Sequence, residues 1–105
     1  MKFDLIVRQT AESINGVKKV TLEGKIGFVT MDEPEKLFSL KIGDHIFLNV
    51  NEGDEGFYAA SYLPVYKKQD GNRTSYLYSA YGLLIKFDGD FNLPYERIKI
   101  TLTRN

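Results

Sequence analysis

Apolar and polar residues alternate along most of this chain with a period of two, the spacing that sends successive side chains to opposite faces of a strand. Phe3, Leu5 and Val7 alternate with Lys2, Asp4, Ile6 and Arg8 and predict a first strand. Asn15-Gly16 is a hairpin-type turn signal. It leads into residues 17–23, where Val20 and Leu22 share a face. Gly24 interrupts the pattern, and residues 25–31 resume it with Ile26, Phe28 and Thr30 together. Residues 32–36 read as a polar turn, with room for one helical turn because acidic residues and Pro34 suit a helix start. Phe38, Leu40 and Ile42 predict a short strand. Gly43-Asp44 then turns the chain into residues 45–50, with Ile46, Leu48 and Val50 on one side.

Aromatic residues dominate the second half of the chain. Beyond an acidic, glycine-containing loop at residues 51–56, residues 57–66 predict a long strand. Residues 67–73 predict a hairpin loop centred on Asp70-Gly71. Residues 75–91 are the return strand: aromatic at first, then a lone Gly82, then a continuous apolar run that stops at Asp88-Gly89-Asp90. A glycine in mid-strand predicts a bulge or bend, so that one long strand serves two parts of a barrel. Ile98, Ile100 and Leu102 alternate with Lys99, Thr101 and Thr103 in a last strand. About eight short strands, turn signals every ~8–12 residues and no sustained helical period predict an all-β fold. A closed or nearly closed barrel is preferred because closure removes the edges of hydrophobic strands.

The 105 residues suit one domain, 1–105. The chain has no Cys, which excludes disulfides, thiolate metal sites and Cys nucleophiles and fits a reducing, cytoplasmic setting. The apolar run near Met1 is short and holds Asp4, unlike a signal peptide, and no run approaches the ~18 residues of a membrane helix, so no membrane partner is expected. Net charge is zero. Its distribution is uneven: residues 1–56 hold 7 Lys+Arg against 10 Asp+Glu, and residues 57–105 hold 7 against 4. The halves must interleave in one small domain, which leaves at most a weak basic face.

Little in the chain points to catalysis. The single His45 has no companion set for a metal site or a triad and reads as a strand-start residue. Glu52-Gly53-Asp54-Glu55 lacks the ligand spacing of a calcium loop and reads as a solvated hairpin loop. Asp88-Gly89-Asp90 reads as a turn, with Gly89 free to take positive φ. There is no phosphate-binding glycine loop and no nucleophile elbow. No cofactor, metal or small-molecule substrate is expected. The tyrosines carry more information. Tyr58, Tyr62 and Tyr66 share a strand face by parity, as do Tyr76 and Tyr78, whereas Tyr81 falls opposite unless a bulge re-aims it. Lys67, Lys68, Arg73 and Lys86 lie close by in sequence. Rings beside cations suit single-stranded nucleic acid. Cross-strand aromatic pairs that simply stabilise a hairpin are the stronger reading. A protein-binding face is a third.

At this hairpin the chain resembles the eighth-subunit family of archaeal and eukaryotic multisubunit RNA polymerases. The resemblance rests on Tyr58-Ala59-Ala60-Ser61-Tyr62-Leu63-Pro64-Val65-Tyr66-Lys67, then Tyr78-Ser79-Ala80-Tyr81-Gly82-Leu83-Leu84-Ile85-Lys86-Phe87-Asp88-Gly89, and on a last strand that ends in basic residues. It covers the chain in outline and is specific from about residue 57 onward. It implies an OB-type barrel of about eight antiparallel strands. It also implies a non-catalytic subunit of the DNA-directed RNA polymerase, docked on the largest subunit at the enzyme's periphery. The docking candidates are then Tyr58, Tyr62, Tyr66, Tyr78, Gly82, Leu83, Leu84 and Lys86. The alternative is a free-standing OB-type binder of single-stranded nucleic acid, using Tyr62, Tyr76, Tyr78, Lys67, Lys68 and Arg73. Eukaryotic members carry a long polar loop before the aromatic strand, and this chain has only residues 51–56, a brevity that fits the archaeal branch.

Overall fold

The computed structural model describes residues 1–12, 14–53 and 55–104. Eight strands form: β1 (Lys2–Thr10), β2 (Val17–Gly24), β3 (Gly27–Pro34), β4 (His45–Val50), β5 (Tyr58–Asp70), β6 (Arg73–Ala80), β7 (Leu83–Gly89) and β8 (Ile98–Arg104). They close in the order β1-β2-β3-β7-β6-β5-β8-β4, every neighbouring pair antiparallel. The fold is the expected all-β barrel, consistent with an OB-type barrel. Among the described residues no helix is long and apolar enough to cross a membrane.

Two of the expected elements differ. Residues 38–42 form no strand. Phe38 and Leu40 are buried while Ile42 is exposed, so the apparent alternation comes from a loop that plugs a barrel end. Conversely, residues 75–91 are not one strand. Ala80 pairs with Leu83, and Tyr81 and Gly82, with φ of +53° and +86°, make a two-residue turn between β6 and β7. Positive φ at both positions is the type I′ signature that matches strand twist. Gly82 therefore reverses the chain instead of bulging it. The lost strand and the extra one offset each other, which is why the expected number was right. Residues 67–70 also differ: they continue β5 in register with β6, leaving only Gly71-Asn72 as the turn. The polar turn begins later than expected too, since Asp32, Glu33 and Pro34 belong to β3 and only residues 35–37 turn.

Each strand contributes to one core: Leu5 and Val7, Val20 and Leu22, Val29 and Met31, Ile46, Leu48 and Val50, Tyr58 and Tyr62, Tyr76 and Tyr78, Ile85 and Phe87, Ile98, Ile100 and Leu102. On β3 the inward set is thus Val29 and Met31, and Phe28 faces out half-exposed. The connections close the two ends. Phe38 and Leu40 cover the end where β3 finishes, and Phe91 and Leu93 cover the end where β7 finishes. The first plug is held by a polar clasp that the hydrophobic pattern gave no sign of. Glu33 is fully buried, and its Oε1 accepts the Leu40 N–H at 2.6 Å. The Lys18 ammonium donates to the Leu40 carbonyl at 3.0 Å and sits 3.3 Å from Glu33 Oε2, an ionic contact without hydrogen-bond geometry. Glu33 Oε1 and the Leu40 backbone are thus hydrogen-bonded, while Oε2 is compensated by the Lys18 charge alone.

The β3–β7 seam joins the two three-stranded meanders. There Gly27 and Gly89 are cross-strand partners with φ of +153° and +155°. A Cβ on Gly89 would lie 2.7 Å from the Gly27 Cα and closer still to the Ile26 carbonyl oxygen. Backbone cannot yield as a side-chain tip can. We therefore expect Gly89→Ala to cost at least ~3 kcal/mol in equilibrium urea unfolding, because forced geometry and steric overlap act together. A loss below ~1 kcal/mol would show that the seam tolerates separation.

Candidate functional site

The tyrosines expected to form an accessible platform divide by burial. Tyr62, Tyr76 and Tyr78 are fully buried and Tyr58 nearly so. Tyr76 and Tyr78 stack inside the barrel with centroids 6.2 Å apart, Tyr78 meets Phe87 edge-on at 5.9 Å, and Phe87 continues to Phe91. Their hydroxyls are used internally. Tyr78 donates to the Pro94 carbonyl at 2.8 Å, Tyr76 accepts the Leu93 N–H at 3.2 Å, and Tyr58 and Tyr62 share a hydrogen bond at 2.8 Å. Tyr76 and Tyr78 thereby position the closing segment 90–97, and none of the four rings can stack a base or meet a partner while the barrel is folded.

Tyr66 does not share their face. The β5–β6 register slips between Pro64 and Tyr66, a bulge around Val65 that inserts one residue and reverses parity. Tyr66 is consequently opposite Leu77 on the outer wall and partly exposed. The bulge is the reason the two-residue period misplaced it.

The outer wall of β5, β6 and β7 is the surface that remains. Register sets its rows: Leu63 opposite Ser79 opposite Leu84, then Tyr66 opposite Leu77 opposite Lys86, then Lys68 opposite Ser75 opposite Asp88. Leu63 and Val65 are each 52% exposed and Leu84 36%. Of the docking candidates, Tyr66, Leu84 and Lys86 thus lie on this wall, Leu83 is half-buried beside it, and Gly82 is in the turn above it. Of the cations, Arg73 pairs with Asp88 at 3.7 Å, and the Lys67 ammonium lies 5.5 Å from the Tyr76 ring centroid at the barrel's end. Lys68 and Lys86 stand exposed on the wall.

Leu63, Val65 and Leu77 escape a reading that follows the aromatic residues. The signal is nonetheless present: in Tyr62-Leu63-Pro64-Val65-Tyr66 both strand faces are apolar, whereas a strand with one solvated face alternates cleanly. Tyr81 is the other finding. It sits at the turn, wholly exposed. His45 is exposed at the start of β4, and of the acidic loop Asp54 lies outside the described residues. Among the described residues no group of three or more His, Asp or Glu side chains converges as a metal site.

Burial pushes the Tyr62 and Tyr78 hydroxyls far above the ordinary tyrosine value of 10.0. For Tyr62 the bond to Tyr58 adds to the effect, and for Tyr78 the neighbouring Tyr76 and Tyr95 do. Tyr58 is raised by burial and partly relieved by its bond to Tyr62. The unfolded chain releases these three protons near pH 10 while the folded barrel retains them, so their contribution is intact below pH 10 and is lost as pH rises beyond it. Tyr62 and Tyr78 alone should then make stability fall with a slope approaching ~3 kcal/mol per pH unit, with Tyr58 adding to it. Denaturant unfolding from pH 9 to 12, with tyrosinate absorbance as the second readout, measures it. A flat profile would mean that the three hydroxyls reach solvent.

No protein-family model matches this chain, and no curated protein matches it.

Proposed function

We propose that this protein is a non-catalytic subunit of an archaeal-type, cytoplasmic DNA-directed RNA polymerase, docked on the largest subunit through the outer wall of β5, β6 and β7. The observation that carries this reading is the two-sidedness of those strands. The segments resembling the polymerase subunit family fold as adjacent strands. Their inner faces build the core, and their outer faces leave Leu63, Val65, Tyr66 and Leu84 in solvent. Contiguous apolar surface of this kind, on a small domain with its core already complete, suits a permanent protein partner. The closed barrel agrees with the fold that the resemblance implies. The reading gives the protein an assembly role, with no active site of its own.

Single-stranded nucleic acid binding is the second reading. It loses its main support because Tyr62, Tyr76 and Tyr78 are core residues. It keeps only Tyr66, Tyr81 and the exposed Lys68 and Lys86.

Tagged protein expressed in its native host should co-purify with the largest polymerase subunit and stay bound at high salt, as expected of apolar contacts. Recovery of the protein alone under those conditions would refute the assignment. An oligonucleotide titration with a salt-sensitive affinity would instead support the second reading.

A further inference from the structure

Tyr81 occupies a position that local energetics disfavour. The first central residue of a type I′ turn needs positive φ, and Asn, Asp or Gly take it at little cost, whereas a bulky side chain there is an outlier. Tyr81 holds φ at +53° with its ring wholly exposed, so no packing in the free protein compensates the strain. Strained residues that persist without a structural return point to a use outside the fold. The turn beneath it is also held firmly. Asp32 accepts the Leu84 N–H at 2.9 Å just past the end of the β3–β7 ladder, and Lys19 pairs with Asp32 at 3.3 Å. The ring is thus projected from a fixed hairpin immediately beyond the Leu63–Ser79–Leu84 row.

We propose that Tyr81 is the anchor of the docking wall, entering an apolar pocket on a protein partner whose rim is acidic. The inference rests on the docking reading and adds the partner's chemistry to it. The aliphatic side chains Leu63, Val65, Leu77 and Leu84 outnumber Tyr66 on the wall beside the anchor and match an apolar protein surface better than a row of stacked bases. Lys68 and Lys86 stand exposed at the margin of this set, while Asp88, in the same row as Lys68, pairs with Arg73. Carboxylates on the partner complete the charge pattern. A second copy of this chain fits less well, since its wall carries the same two lysines and its carboxylate Asp88 is already engaged by Arg73.

The test uses the protein's own RNA polymerase, purified without this chain, as the probe in equilibrium binding. Tyr81→Asn suits the turn, so its melting temperature should equal the wild-type value or exceed it by up to ~8 °C. Its affinity for the polymerase should fall by about tenfold or more. The double variant Lys68→Gln, Lys86→Gln should bind more weakly and lose most of its salt dependence. Wild-type binding that both variants retain would overturn the anchor and leave the docking reading standing. Failure of the wild type itself would overturn both. Loss of oligo(dT) binding in Tyr81→Asn, without loss of polymerase binding, would assign Tyr81 to nucleic acid and overturn the proposal. So would a dimer of the wild type in sedimentation that the variant abolishes.

Discussion

Gly27 and Gly89 face each other where β3 meets β7, and their backbones come closer than any Cβ would permit. That approach joins the meander β1-β2-β3 to the meander β7-β6-β5, and β8 and β4 complete the circuit. Closure leaves no long sheet edge, which matters in a chain whose strands are apolar enough to aggregate. Closure also fixes which residues point inward. Once β7 lies against β3, Ile85 and Phe87 are committed to the core, and Leu84 and Lys86 to the outside.

The interior that results is mainly aliphatic, with buried tyrosines tied down at their polar ends. Tyr76 and Tyr78 bind the backbone of the closing segment, so the rings act as posts for the connection into β8. At the opposite end the Glu33–Lys18 clasp does the same for Leu40. Both plugs therefore depend on buried polar groups that are satisfied by loop backbone. The consequence is a division of labour. The aromatic residues with the most binding-like appearance are spent on stability, and the aliphatic face behind them stays in solvent.

How far the sequence could be read depends on where its period holds. The fourth strand was legible as residues 45–50 because Ile46, Leu48 and Val50 alternate without interruption up to the Gly43-Asp44 turn. The last strand was legible from Ile98, Ile100 and Leu102 in the same way. Parity failed where an extra residue entered the ladder: it groups Tyr66 with Tyr62, although the bulge at Val65 sends Tyr66 outward. It failed again at residues 38–42, where alternation arises in a plug that belongs to no strand. Tyr81-Gly82 does not read as a turn because tyrosine is a poor type I′ residue, and that mismatch is itself the mark of the candidate site. Glu33 could not have been found at all, since a single carboxylate in a polar segment carries no sign of burial.

The proposed docking requires the outer wall of β5, β6 and β7 to meet the polymerase while the tyrosines beneath it do not. A photo-crosslinking residue at position 84, introduced into the protein expressed in its native host, tests this most directly, with position 4 on the far side of the barrel as the reference. Crosslinks to the largest subunit from position 84 and none from position 4 are the result expected. Crosslinks from position 4 alone would contradict the account.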